Sequence, residues 1–208
     1  MNYLNDPEAI YRQSFAAIRA EADFSDLPPE THSIALRMIH ACGMVDILGD
    51  LRIDPLLPGA VTSALADGHP ILTDCEMVRS GIIKRGLPPE TEIVCTLNDA
   101  RTREIGMARK TTRSAAAVEL WKPHLAASVV VIGNAPTALF ALLELIDRGG
   151  PLPSAIIATP VGFIGAAESK SELASNPRGI PFATLFGRRG GSALAAAALN
   201  AIIAERAA

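Results

Sequence analysis

From His69 onward the chain repeats one unit: a short β-branched run, a turn rich in small residues, then a stretch with helical spacing of its apolar residues. The β-branched runs are Pro70–Thr73, Glu92–Thr96, Ser128–Ile132, Ala155–Thr159 and Pro181–Phe186. Helical patterns follow at Cys75–Lys84, Arg113–Leu125, Pro136–Arg148, Ala166–Ala174 and Ser192–Glu205. Strands separated by helices cannot pair through tight hairpins, so the pattern predicts a mainly parallel sheet of five strands with helices on both faces. Aromatic residues make up only 4% of the chain. The core must therefore come from Ala, Leu, Ile and Val in close helix–sheet contact.

The first fifty residues read differently. Ala9–Ala22 and Glu30–Leu48 carry apolar residues at three- and four-residue intervals, and Leu27-Pro28-Pro29 separates them, with Thr31 placed to cap the second helix. A chain of 208 residues can bury one substantial core. The expectation is one α/β domain over 1–208, with a helical segment at 1–50 and the alternating part at 69–208. No internal repeat is evident.

Charge and composition remove several functions. The net charge of −3 is unsuited to general nucleic-acid binding, which needs a basic surface. Cys42, Cys75 and Cys95 are too widely spaced for a CxxC pair or a zinc motif and read as free thiols of a reducing compartment. Leu125–Leu143 carries no charge, yet Gly133-Asn134-Ala135-Pro136 interrupts it, so it reads as strand, turn and helix instead of a membrane span. The first residues, Met-Asn-Tyr-Leu-Asn-Asp-Pro-Glu, lack the basic and apolar regions of a signal peptide. A cytoplasmic protein is expected.

In parallel sheets ligands bind beyond the carboxyl ends of the strands. That places interest on Asp74–Met77, Asn98–Arg113, Gly133–Thr137, Pro160–Lys170 and Gly187–Ser192. Gly187-Arg188-Arg189-Gly190-Gly191-Ser192 opens a helix and reads equally as an anion cradle or a plain turn with solvated arginines. Asn134 precedes Pro136 and is placed to cap a helix, and Asp74 likewise stands where it would cap the helix after it. Gly133-Asn134-Ala135-Pro136-Thr137 lacks the second glycine of a dinucleotide fingerprint, which weighs against a nicotinamide-dependent reductase. Arg109-Lys110-Thr111-Thr112-Arg113-Ser114 is a basic stretch at a helix start. Basic residues there oppose the helix dipole, so the stretch reads equally as a site for a ligand carboxylate or as an ordinary solvated charge run. His40 stands on an otherwise apolar helix with Arg37 one turn earlier. Imidazole exchanges protons near neutrality, although a single helical histidine is more often structural than catalytic. His32, His69 and His124 have less to distinguish them. No hydrolase elbow, Walker loop or metal-binding His-Glu cluster is present.

Several segments together resemble the precorrin-8X methylmutase family. They are Ala9-Ile10-Tyr11-Arg12-Gln13-Ser14-Phe15, Arg37-Met38-Ile39-His40-Ala41-Cys42-Gly43, Asp74-Cys75-Glu76-Met77-Val78 and Thr112-Arg113-Ser114-Ala115-Ala116. Gly133-Asn134-Ala135-Pro136-Thr137-Ala138-Leu139, Gly162–Lys170 and Gly190-Gly191-Ser192 follow. Their order extends over most of the chain. The resemblance implies an isomerase without cofactor or metal ion, which moves a ring C methyl group of precorrin-8X between neighbouring carbons and yields hydrogenobyrinic acid. It assigns His40 as the general acid. Tyr11, Ser14, Arg37, Thr112, Arg113, Asn134 and Thr137 are the implied substrate contacts, and the Gly162–Lys170 loop is implied either as a cover for the ring or as a structural turn. A homodimer with its active sites near the subunit interface is also implied, as is product hand-off to neighbouring pathway enzymes. A non-catalytic tetrapyrrole carrier is the alternative; it would have no need of His40.

Overall fold

A computed structural model describes residues 3–206. The chain opens with α1 (Pro7–Glu21) and α2 (His32–Cys42). Asp6 caps α1 through the amide of Glu8, with Pro7 at the first helical position, where its missing N–H costs nothing. The single helix expected over Glu30–Leu48 is broken. Gly43 adopts φ +70° and stops α2, and a 3₁₀ turn, Val45–Asp50, leads away from it. Thr31 lies at the start of α2, but its hydroxyl donates to the carbonyl of Pro28 and caps nothing.

The sequence pattern gives no sign of the next two elements, β1 (Leu51–Ile53) and α3 (Leu57–Ala66). Then come β2 (Ile71–Thr73), α4 (Glu76–Gly81) and β3 (Ile93–Cys95). The stretch expected to be a loop after β3 contains α5 (Ala100–Arg109), whose first amides are held by Asp99. The remaining elements are α6 (Arg113–Glu119), β4 (Val129–Ile132), α7 (Pro136–Asp147), β5 (Ala155–Ala158), α8 (Ala166–Ser175), β6 (Phe182–Leu185) and α9 (Ser192–Arg206). α6 is shorter than expected because the chain turns into a 3₁₀ segment at Lys122–His124, around Pro123.

The sheet order is β1-β6-β5-β4-β2-β3, six strands and not five. Every pairing is parallel except the extra one: β1 runs antiparallel along the β6 edge, Leu51 opposite Leu185 and Ile53 opposite Ala183. Successive strand residues serve opposite cores, as the pleat requires. Val129 and Val131 join Ile34, Met38, Val61 and Leu199 on one face. Val130 and Ile132 join Trp121, Leu139, Leu142 and Leu173 on the other. Leu125–Leu143 is thus a turn into β4, β4 itself, a turn and most of α7, and no helix among the described residues is long and apolar enough to cross a membrane.

α9 lies on the first face and is buried along most of its length. Its alanines permit close approach of α2 and α4: a Cβ on Gly81 would meet that of Ala196 at 2.8 Å. This layer seats α2 on α9, and with it the candidate histidine beside Ala193, Ala196 and Ala197.

Candidate active site

Tyr11, Ser14 and Phe15 lie one turn apart on α1, and Arg37 and His40 one turn apart on α2, so each set shares a helix face. The two faces meet. Ser14 Oγ is 2.9 Å from His40 Nδ1, and Arg37 Nη2 donates to Tyr11 Oη at 3.0 Å. Phe15, the buried residue of α1, fixes the angle between the helices: its ring stacks on Tyr11 at 4.2 Å and lies 4.9 Å from the His40 ring. Arg37 Cζ sits 6.0 Å from the Phe15 ring centre.

This arrangement leaves His40 exposed, with no hydrogen bond to Nε2 among the described residues. A serine hydroxyl both donates and accepts, so Ser14 can hold Nδ1 whether or not that nitrogen carries a proton. Nε2 is left for exchange with a ligand. Beside it lies a 260 Å³ cavity floored by Ala193, Ala196 and Ala197 of α9 and bordered by Arg37 and Asn200.

A second group forms at the start of α6 and α7. Thr112 Oγ1 donates to Thr137 Oγ1 at 2.8 Å and also accepts from the amide of Ala115, capping α6. Arg113 and Asn134 are exposed nearby, and neither side chain has a partner among the described residues. Asn134 does not cap α7, whose cap position is Ala135. The two groups share no hydrogen bond with each other.

Asp74 does not cap its own helix, whose cap position is Cys75. Its carboxylate is 1% exposed and accepts from the amides of Gly133, Asn134 and Ala135 at 3.0, 2.9 and 2.8 Å. Burial pushes this carboxyl above the usual range, against the pull of the three donors. Gly133 has no room for a side chain, since a Cβ would stand 2.6 Å from Ser192 Cα. Ser192 Oγ in turn lies 3.3 Å from Cys75 Sγ, a thiol raised by burial. The carboxyl ends of β2 and β4 and the start of α9 therefore meet at one point.

Other expectations change. Arg189 is not free for an anion: it bonds Asp46 at 2.5 Å and Asp50 at 2.7 Å, while Arg188 lies over the Phe163 ring. Arg109 is compensated by Glu119 at 2.5 Å, so that charge calls for no ligand. Half of the Gly162–Lys170 segment is the first turn of α8. Lys170, fully buried, donates to the Arg189 carbonyl at 2.6 Å, and burial pulls its ammonium down to about 8. His32 bonds the Leu27 carbonyl and is structural. Sequence reasoning assigned no role to Phe15 or Lys170 and the wrong helix to Asp74; a lone acid directly after a buried strand was the available signal for the last.

The chain matches the family model described as precorrin-8X methylmutase over residues 9–205. It is 52% identical over 206 residues to the precorrin-8X methylmutase of Pseudomonas aeruginosa, covering 99% of both chains. It is 34% identical over 197 residues to the cobalt-precorrin-8 methylmutase of Priestia megaterium, covering 94% of this chain and 87% of that one. A solved structure of the precorrin-8X methylmutase of Thermus thermophilus superposes with a TM-score of 0.86 at 33% identity, covering 96% of each chain.

Proposed function

Because the chain belongs to the precorrin-8X methylmutase family, we propose that it acts on metal-free precorrin-8X and moves the ring C methyl group to give hydrogenobyrinic acid, with His40 as the general acid. Identity is higher to the relatives named for precorrin-8X, 52% and 51%, than to relatives named for the cobalt compound, 38% and 34%, which favours the metal-free form. The observation that carries the role of His40 is its pairing with Ser14 at Nδ1 while Nε2 stays open to solvent.

The reaction is intramolecular. The imidazolium gives its Nε2 proton to a ring nitrogen beside the migrating centre. One C–CH₃ bond breaks as another forms on the neighbouring carbon. The isomer has the same composition, so a proton returns to His40. No outside nucleophile is consumed. Positioned proton transfer is typically worth about 10²- to 10⁴-fold in rate, and holding the rigid macrocycle contributes further. Arg37 and Arg113 receive peripheral carboxylates, and Tyr11, Ser14, Thr112, Asn134 and Thr137 supply hydrogen bonds.

Two copies of the chain assemble as a dimer in this reading, with each site near the interface. Phe163 and Ile164, 81% and 89% exposed at the carboxyl edge of the sheet, offer apolar surface for such a contact. Free thiols suit a reducing, cytoplasmic setting, where product passes to neighbouring enzymes of the pathway.

The test is to mix protein with precorrin-8X and follow the visible absorption spectrum, with His40→Ala alongside. Conversion by the wild type alone is expected. If both samples bind without conversion, and the cobalt-containing substrate also stays unchanged, the carrier reading replaces this one.

A further inference from the structure

At the carboxyl end of β3, a 580 Å³ cavity opens between the Leu97–Ala100 turn and the α5–α6 pair. Its walls are mixed. Leu97 and Met107 supply apolar surface, Asn98 and Thr111 supply polar groups, and Arg103 and Arg113 bring charge from two different helices.

Those two charges differ from their neighbours. Arg101 is held by Asp99 through two side-chain bonds of 2.9 and 2.6 Å, and Arg109 by Glu119 at 2.5 Å. Asp99 also lines the cavity, but the guanidinium and the backbone amide of Arg101 already occupy its oxygens. Arg103 and Arg113 have no carboxylate partner among the described residues. Two guanidinium groups lining one cavity whose single carboxylate, Asp99, is already taken by Arg101 favour a further anion between them. Apolar contact from Leu97 and Met107 suits an anion on a short hydrocarbon stem.

We infer that this cavity seats one carboxylate arm of the macrocycle, gripped by Arg103 and Arg113. This rests on the methylmutase reading. The arm site adjoins the Thr112–Thr137 pair, since Thr111 and Arg113 on either side of Thr112 both line it. A tetrapyrrole has a nearly four-fold outline, so flat contacts alone leave its in-plane rotation undefined. A charged socket at a fixed place relative to His40 selects the rotation that brings ring C to the imidazole. Arg103 is then a specificity-determining residue for orientation, distinct from the groups that exchange protons.

The experiment compares wild type, Arg103→Ala and Arg103→Lys. Each binds hydrogenobyrinic acid and its full methyl ester, while turnover of precorrin-8X and the melting temperature are measured in parallel. Arg103 is exposed, so the melting temperature stays within a degree or two of wild type. Arg103→Ala weakens binding of the acid by about 10- to 100-fold, the range of a hydrogen bond to a charged group. The ester binds all three proteins alike, and Arg103→Lys recovers part of the loss. In turnover kcat also falls, because rotated, unproductive complexes accumulate. Equal binding of the acid by wild type and Arg103→Ala overturns the arm site, as does a loss that persists on the ester. If wild type binds the acid in an Arg103-dependent way but converts nothing, the socket stands and the methylmutase reading fails.

Discussion

Ser14 meets only the Nδ1 edge of His40, so replacing it changes the orientation and tautomer of the ring without removing the proton donor. Ser14→Ala should lower kcat by about 10-fold, well short of the roughly 10²- to 10⁴-fold expected for His40→Ala. Steady-state kinetics on the two variants checks the order. Lys170 gives a residue-scale prediction of another kind. Its ammonium is held down to about 8 in the fold and titrates at 10.5 when free. Between those values the unfolded chain holds more protons, so stability rises as pH climbs through the window and carries the full penalty below it. Urea midpoints from pH 7 to 10.5 should show that rise, and Lys170→Met should flatten it. His40 was legible in the sequence as an odd residue on an apolar helix. Its link to Ser14 was not, because a contact across 26 positions leaves no trace in local spacing; the family resemblance named Ser14 as a substrate contact and not as a partner of the ring.

Elements were legible where burial is complete. β4 and β5 are buried on both sides and read as plain β-branched runs. β1 escaped because three residues alternate too briefly to form a pattern, and an edge strand needs no continuous apolar run. α5 escaped for the opposite reason: Thr102 is its sole buried residue, so it has almost no apolar stripe. The β4–α7 turn shows how such elements become a site. Its three amides end on one carboxylate from β2's end. Asp74→Asn puts an amide NH₂ among these donors and should cost about 1–3 kcal/mol of stability, measured by urea denaturation. KM should rise as well, since Asn134 and Thr137 ride on the turn. Gly133→Ala should be at least as damaging, because its Cβ would press on Ser192 Cα at 2.6 Å and push α9 from the sheet.

For the whole molecule the open question is what covers the carboxyl edge of the sheet. Phe163 and Ile164 stand there almost fully exposed, and the dimer proposal gives them a partner. Sedimentation should find twice the mass of one chain, and Phe163→Ser with Ile164→Ser should shift the population toward single chains. The layered architecture was plain from the alternation of strands and helices. The assembly was not, because self-complementary surfaces carry no periodicity. One consequence remains for motion. α1 buries a single side chain, Phe15, yet it supplies Ser14, which holds Nδ1 of His40. A segment so lightly anchored opens at far lower free energy than the sheet. Its amides should exchange with deuterium long before those of β4, and should slow when product binds. Should product slow that exchange, the same fifteen residues that carry Ser14 would both open for the ligand and settle against His40 once it is bound.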